Sequence, residues 1–316
     1  MLRFGFIYLS RLRWAQGVIT RLPPARALAA RFVAGNTLAD AMVVTRRLNA
    51  RGLNVTLDFL GESVTNTDEA ALAADEYVRA LDAIGAGQAR ANVSLKLTQL
   101  GLDLGPDVCL PNVRRVVEKA RAAGTFVRVD MEGTPHTDRT LAMVRQLRLE
   151  FENVGVVLQA YLYRTESDLL AVTSEHTRVR LCKGAYQEPP DKAYPRKGDV
   201  DANYIKLARL LLDHSARAAP ADPAGRVPPL CALATHDEQM IADAQRYAQQ
   251  QGLSRPTFEF QMLYGIRSRL QEQLADAGYG VRVYVPYGTH WYPYFMRRLA
   301  ERPANVWFLI SSLAKG

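Results

Sequence analysis

The chain has 316 residues, 48% of them apolar and 23% charged, which is the composition of an ordinary globular protein with room for one large core or two modest ones. No apolar run approaches the ~20 residues that cross a bilayer, which argues against a helical membrane protein. The net charge of +8 is not spread in basic stripes with interleaved aromatics, so we expect no nucleic-acid partner.

The positive charge is concentrated at the amino terminus. Residues 1–39 hold six arginines and no Asp or Glu, so this segment supplies +6 of the +8. Such a segment suits a transit peptide, a surface helix on anionic lipid, or a helical cap. Frequent Ala and Leu, with Pro23-Pro24 between two short helices, favour the cap. We therefore expect residues 1–50 to form a helical segment, which includes a helix from Asn36 to Asn49.

The three cysteines show no CxxC spacing, and two of them lie in strand-like runs. They are typical of small core residues in a reducing compartment, so we expect a cytoplasmic protein.

Beyond this segment a strand followed by a helix recurs eight times. The predicted strands are Val55–Leu60, Asn92–Leu97, Phe126–Met131, Val154–Tyr161, Arg178–Lys183, Leu230–Ala234, Thr257–Leu263 and a last one from Gly280 that stops at Pro286 and Gly288. The predicted helices are Asn66–Ile84, Leu110–Ala123, Thr137–Leu149, Glu166–Ser174, Ala202–Arg217, Glu238–Gln250, Arg267–Ala277 and one that begins near Pro293.

Eight such units predict an α/β fold, a (β/α)8 TIM barrel over residues 51–316 with flanking amino-terminal helices. A doubly wound sheet fits the same pattern. It is disfavoured because no glycine fingerprint follows the first strand.

Polar residues stand at the carboxyl end of every predicted strand, where a barrel carries its active site. They are Asp58, Glu62, Lys96, Asp130, Glu132, Gln159, Tyr161, Arg180, Lys183 to Tyr186, Thr235 to Asp237, Glu259, Gln261 and Tyr284. Structural ion pairs at barrel rims are common, but polar or charged residues at eight successive strand ends favour a functional site.

Individual motifs are weaker. Lys96 suits a Schiff base, an anion site or a simple pair with Asp130, and Lys183-Gly184 suits a phosphate. The five histidines lack HxH or HExxH spacing, so we expect no metal. Residues 187–201 form a candidate lid on the active face, and residues 216–229 a connector on the opposite face.

The last helix presents Tyr294, Arg297, Arg298 and Glu301 at i, i+3, i+4 and i+7, and therefore on one face. Paired guanidinium groups suit a carboxylate or phosphate, although a solvated helix with Glu301 neutralising one arginine explains the pattern equally well.

In order along the chain, these strand ends resemble the proline dehydrogenase family. The matching segments are Leu57-Asp-Phe-Leu-Gly-Glu62, Val93-Ser-Leu-Lys-Leu97, Val129-Asp-Met-Glu132, Leu158-Gln-Ala-Tyr161, Arg180-Leu-Cys-Lys-Gly-Ala-Tyr186, Ala234-Thr-His-Asp237, Tyr284-Val-Pro-Tyr-Gly-Thr-His290 and Tyr294 to Glu301. The resemblance implies a barrel that binds FAD without a Rossmann domain, oxidises L-proline to Δ1-pyrroline-5-carboxylate and passes electrons to a quinone. It also implies a monofunctional enzyme whose basic amino terminus contacts the inner face of the membrane.

The resemblance further implies a role for each matching residue. Arg297, Arg298 and Lys96 would hold the substrate carboxylate, with Asp130 orienting Lys96. Tyr284 and Tyr294 would pack on the proline ring, and Glu62 would close over it by pairing with Arg297. Arg180 would lie near flavin N5 and Gln159 against the flavin ring. The remaining FAD contacts would come from Met131, Lys183, Gly184, Ala185, Tyr186, Thr235 and His236.

Two other function classes stay open at this stage. One is a barrel lyase or aldolase with Lys96 or Lys183 as Schiff-base nucleophile. The other is a basic nucleic-acid-binding or membrane-binding protein on an inactive barrel.

Overall fold

The computed structural model describes residues 29–61, 64–216 and 222–301, with side chains only as far as residue 296 at the carboxyl end. Within these ranges the strands form a closed parallel barrel in chain order, in which β8 pairs with β1. The strands are β1 (Asn54–Phe59), β2 (Ala91–Leu95), β3 (Val127–Val129), β4 (Val154–Gln159), β5 (Val179–Cys182), β6 (Cys231–Ala234), β7 (Phe258–Leu263) and β8 (Gly280–Tyr287). The predicted (β/α)8 barrel is confirmed.

Within the described ranges a helix follows each strand, and α1 (Leu38–Asn49) lies before β1. The described helices are α1 (Leu38–Asn49), α2 (Thr67–Ala86), α3 (Pro106–Ala122), α4 (Thr134–Arg148), α5 (Thr165–Ser174), α6 (Lys197–Ser215), α7 (Glu238–Gln250), α8 (Ser268–Asp276) and α9 (Trp291–Glu301). Side-chain caps define several starts: Thr37 forms a capping box with Asp40, and Asn66 and Asp237 cap α2 and α7.

Two apolar clusters hold these elements together. The larger one lies between the outer faces of the strands and the helices, as a barrel requires. The smaller one lies at the carboxyl end of the barrel, where α9 packs on residues 29–33 and on two βα loops. Inside the barrel, Arg128, Glu259 and Arg282 are almost fully buried, so the barrel interior carries charge beneath the site.

The last strand ends where it was predicted to, between Pro286 and Gly288. Strand β8 continues to Tyr287, which lies opposite Phe59 of β1. Pairing with β7 already ends at Tyr284, so the missing N–H of Pro286 interrupts no ladder on that side. The carbonyl of Pro286 instead accepts the Ala34 N–H at 2.9 Å.

The predicted extent of the lid, residues 187–201, was partly wrong, because α6 begins at Lys197 rather than at Ala202. The remaining loop is anchored to its surroundings rather than loose. Ala193 bridges Leu162, the Tyr194 N–H donates to the Tyr161 carbonyl at 2.8 Å, and Glu188 accepts from the Thr134 N–H at 2.9 Å.

The described part of the connector, residues 222–229, is placed as predicted. The carbonyl of Arg226 lies 3.4 Å from the Thr125 hydroxyl, and Gly225 abuts Asn54 at the start of β1, so residues 222–229 lie at the amino-terminal end of the barrel. Helix α1 packs on β8 and β1. The predicted short helices and lipid contact of residues 1–28 lie outside the described residues, and the division at residue 50 stays a prediction. None of the described helices has the length and apolarity needed to cross a membrane.

Candidate active site

A cavity of about 470 Å³ opens at the carboxyl ends of the strands. All the predicted site residues with described side chains line this cavity: Lys96, Asp130, Met131, Gln159, Arg180, Lys183, Gly184, Ala185, Tyr186, Thr235, His236, Tyr284 and Tyr294. The side chains of Glu62, Arg297 and Arg298 lie outside the described part of the chain. Short βα loops converge on one end of a barrel, and they bring together residues that are far apart in the sequence.

Lys96 follows β2 directly, and its ammonium group faces two carboxylates. Its Nζ lies 3.2 Å from both Asp58 oxygens and 3.7 Å from Asp130 Oδ2. Burial alone lowers the pKa of Lys96, but the charges of Asp58 and Asp130 outweigh it and raise this pKa above its ordinary value. The expected pair with Asp130 is therefore present, yet Asp58 is the nearer partner.

Asp58 was noted at a strand end but not predicted as a site residue. Its side chain is 1% exposed. Burial raises its pKa above the usual range, and the Lys96 charge counteracts this only in part. A carboxyl group opposite a strand-end lysine was the signal that could have identified it.

Asp130 is the centre of the hydrogen-bond network. Its Oδ1 accepts from Ser94 Oγ at 2.6 Å and from Arg180 Nη1 at 2.9 Å. Its Oδ2 accepts from the Tyr284 hydroxyl at 2.8 Å. Arg180 also lies over the Tyr284 ring, with Cζ 5.3 Å from the ring centroid. These contacts fix the guanidinium group against the cavity wall, where its position is well defined.

A second contact chain reaches Arg180 from inside the barrel. Its Nε donates to Gln261 Oε1, and the Gln261 amide donates to Glu259. Glu259 is paired in turn with Arg282, whose Nε lies 2.8 Å from Oε1 and whose Nη2 lies 3.1 Å from Oε2. This series of hydrogen bonds fixes the orientation of the Gln261 amide, because the amide oxygen and nitrogen have different partners.

The opposite wall carries Lys183 and Gly184, which the sequence suggested as a phosphate site. Both residues also have protein partners of their own. Lys183 Nζ lies 2.6 Å from Asp201 and 2.9 Å from Asp237, so two carboxylates already balance its charge. Gly184 has a φ of +120°, and a Cβ there would lie 2.3 Å from the Tyr161 ring. The glycine is thus required by Tyr161 and by the backbone turn, not only by an approaching ligand.

His236 and Gln159 are held by backbone groups. The Leu263 N–H donates to His236 Nε2 at 2.9 Å, which assigns the proton of a neutral ring to Nδ1. The Gln159 amide donates to the Glu132 carbonyl at 3.0 Å. Burial raises the pKa of the Cys182 thiol, which also lines the cavity, to about 12, so it is not a nucleophile at neutral pH.

Some strand-end residues are structural. The Glu132 carboxylate accepts from the Thr98 N–H at 3.1 Å and from its hydroxyl at 2.6 Å. Apart from Met131, the apolar wall was not predicted, because nothing in the sequence distinguishes its other residues from ordinary core residues: Val157, Cys182, Ala234, Met262 and Leu263.

In the described part of the chain, no group of three His, Cys, Asp or Glu side chains is arranged to hold a metal ion.

Comparison with known proteins shows the family of this chain. The family model described as "Proline dehydrogenase" matches residues 41–310. The chain is 40% identical over 319 residues to proline dehydrogenase 1 of Bacillus subtilis, covering all of both chains. It is 42% identical over 294 residues to proline dehydrogenase of Deinococcus radiodurans, covering 92% of this chain and 91% of that protein.

A solved structure shares the fold. The crystal structure of proline utilization A from Bdellovibrio bacteriovorus, inactivated by N-propargylglycine, superposes with a TM-score of 0.78 at 26% identity. The match covers 91% of this chain and 34% of that longer one. Together, the full-length relatives, the family model and the shared barrel show that this chain belongs to the proline dehydrogenase family.

Proposed function

We propose that the cavity binds FAD and L-proline and oxidises proline to Δ1-pyrroline-5-carboxylate, with a quinone as electron acceptor. The observation that carries this proposal is that every described side chain expected at such a site lines one cavity. Membership of the proline dehydrogenase family supports oxidation of proline. The cofactor, the hydride step and the acceptor are the proposed part.

The cavity suits a flavin in size and in lining. Its volume of about 470 Å³ lies within the range of ligand pockets, and apolar side chains such as Met131, Val157 and Met262 offer a surface for a flat ring. Arg180 adds a fixed positive charge at the same wall. The Lys183 ammonium group has three donors and uses two on aspartates, which leaves one for a phosphate oxygen. When bound, FAD would supply a hydride acceptor.

The protein's own side chains would orient the substrate. Lys96 is held protonated beside Asp58 and Asp130, so it can attract the proline carboxylate. Arg297 and Arg298, one turn beyond Tyr294 on α9, would complete this carboxylate site, with Glu62 closing over it. Tyr284 and Tyr294 would confine the ring, so that the ring carbon next to nitrogen faces the flavin.

The overall reaction removes a hydride from that carbon and a proton from the amine nitrogen, which leaves a C=N bond. The amine must be unprotonated when the hydride leaves, because its lone pair forms the new bond. A quinone would then take two electrons and two protons. The basic residues 1–39, expected at the inner face of the membrane, would bring a cytoplasmic protein close to such an acceptor.

A Schiff-base mechanism has less support. A nucleophilic lysine must lose its proton, yet the carboxylates near Lys96 raise its pKa. Lys183 is engaged by two aspartates.

The test is product formation. Purified protein with L-proline and a soluble quinone should yield Δ1-pyrroline-5-carboxylate, detected by mass spectrometry, in an amount equal to the quinone reduced. D-proline is the matched control, because the same carboxylate anchor would place its ring on the wrong side. Quinone reduction without that product, or no turnover in protein that contains flavin, would contradict the proposal.

A further inference from the structure

Residues 29–35 cross the carboxyl end of the barrel next to α9, and we refer to them as the strap. We propose that the strap is a positioning element: it holds α9 over the cavity and thereby sets the affinity for the substrate. The substrate part rests on the proposed function, whereas the hold on α9 does not.

The first observation is the composition of the smaller apolar cluster. Its ten buried members are five residues of α9, three of the strap and two of the βα loops. The strap members are Ala29, Phe32 and Val33, and the loop members are Leu60 and Ile266. The strap therefore contributes more buried residues against α9 than the two loops together, and Phe32 is only 3% exposed.

The second observation is a pair of backbone hydrogen bonds at the start of α9. The Ala34 N–H donates to the Pro286 carbonyl at 2.9 Å, and the Gly288 N–H donates to the Gly35 carbonyl at 3.0 Å. These bonds attach the chain that leads from β8 into α9 to the strap at two points, Pro286 and Gly288. They occupy the side of β8 where pairing with β7 has ended.

The third observation is a close approach between the strap and the β7–α8 loop. Gly265 has a φ of +73°, and a Cβ there would lie 1.6 Å from the carbonyl oxygen of Arg31. A backbone oxygen cannot rotate aside as the end of a flexible side chain can, so a side chain at position 265 would force the strap and the loop apart. Only glycine permits this contact.

Helix α9 contributes Tyr294 to the cavity wall, with Arg297 and Arg298 one turn further on. Movement of α9 would therefore shift several predicted substrate contacts together. It would leave the Arg180 and Asp130 network in place, because those residues lie on the barrel strand ends. Loosening the strap should consequently weaken substrate binding more than it slows the chemical step.

The chain offers a matched pair of variants. Gly265→Ala places a Cβ against the strap, whereas Gly252→Ala has a similar φ of +66° and meets nothing within 4 Å. Both variants carry the same kind of backbone strain. A second pair covers the case in which Gly265→Ala does not fold: Phe32→Ala empties the small cluster, and Phe151→Ala empties an equally buried site in the main core.

Two readouts decide the proposal. Hydrogen exchange of the peptide covering residues 291–296 should become roughly tenfold faster or more in Gly265→Ala and Phe32→Ala, and stay as in the wild type in the two controls. This readout requires neither flavin nor turnover. Unchanged exchange in both strap variants would overturn the proposal even if the enzyme oxidises proline.

The KM for proline should rise roughly tenfold in the strap variants, because misplaced contacts weaken substrate binding. Their kcat should stay within about threefold of the wild-type value. The controls should keep the wild-type KM. Faster exchange with an unchanged KM would overturn the role in substrate affinity. If the wild-type protein does not turn over proline, the proposed function fails, while the exchange result still decides whether the strap holds α9.

Discussion

Asp130 contacts three other side chains that line the cavity. Lys96, Arg180 and Tyr284 each contact one of its two oxygens, so substitution of Asp130 would disturb all three together. Such networks are not additive, and single substitutions report on the network as well as on the residue. More informative substitutions remove one contact and leave Asp130 intact.

Gln261→Met is one such substitution. Methionine has a similar volume, but it leaves the buried Arg180 Nε without its acceptor, at a cost of about 1–3 kcal/mol in unfolding free energy. Because Arg180 would then be held only from the Asp130 side, we expect kcat for proline to fall more than KM changes. Steady-state kinetics and urea unfolding measure the two effects.

The control for Gln261→Met is Asn153→Leu, which removes two amide hydrogen bonds at the other end of the barrel. It should lower stability and leave kcat unchanged. An unaltered kcat in Gln261→Met would mean that Gln261 does not position Arg180.

Asp58→Asn tests the electrostatics of Lys96. Burial lowers the pKa of Lys96, and the Asp58 charge is the larger of the two carboxylate effects that raise it. Without that charge this pKa should fall, so the alkaline limb of kcat/KM for proline should move to lower pH.

Asp237→Asn is the matched control for Asp58→Asn, because Asp237 lines the same cavity but pairs with Lys183 instead. Asparagine also retains its helix-capping function. An alkaline limb that stays in place in Asp58→Asn, or moves equally in Asp237→Asn, would argue against Lys96 as the carboxylate anchor.

Among the secondary-structure elements, the outer helices are joined by ion pairs that differ in how far they are buried. Asp243 of α7 accepts from Arg209 of α6 at 2.6 Å and from Arg246 at 3.1 Å, with 8% of its side chain exposed. The hydrogen bonds from Arg209 lower the pKa of Asp243 below its ordinary value of 3.8. The ionised form therefore stabilises the α6–α7 contact.

Asp243→Asn should lower the unfolding free energy at pH 7 by on the order of 1 kcal/mol. A lowered pKa gives stability that is complete above the unfolded-state value and is lost as pH falls through the folded-state value. The difference between wild type and variant should therefore shrink below about pH 3.8, which is the ordinary value for this group. Chemical denaturation across pH measures it.

The pair Glu166–Lys206 offers the comparison, because its side chains are much more exposed than that of Asp243, at 42% for Glu166 and 55% for Lys206. Glu166→Gln should have little effect at any pH. A difference for Asp243→Asn that persists unchanged in acid would show that its charge is not what stabilises the contact.

At the scale of the whole molecule, the alternation of strands and helices was readable because a barrel repeats one local pattern eight times. Element ends were less readable. Helix α6 starts at Lys197, five residues earlier than expected. Such boundaries depend on tertiary neighbours that a local pattern does not contain.

The site likewise combines features that a local sequence pattern predicts with features that depend on tertiary neighbours. Charged residues such as Lys96, Asp130 and Arg180 are conspicuous after apolar strands, so their convergence could be predicted. Three features of the site could not be predicted: Asp58 as the nearer partner of Lys96, the two aspartates that contact Lys183, and the strap that packs on α9. They depend on distances between segments far apart in the chain.

We propose that a single cavity holds a flavin and that proline is oxidised there. The visible absorption spectrum of the purified protein, recorded anaerobically before and after L-proline is added, tests both parts together. We expect an oxidised-flavin spectrum that bleaches with L-proline and recovers when a quinone is added. A flavin that does not respond to proline, or a protein that stays colourless when supplied with FAD, would contradict it.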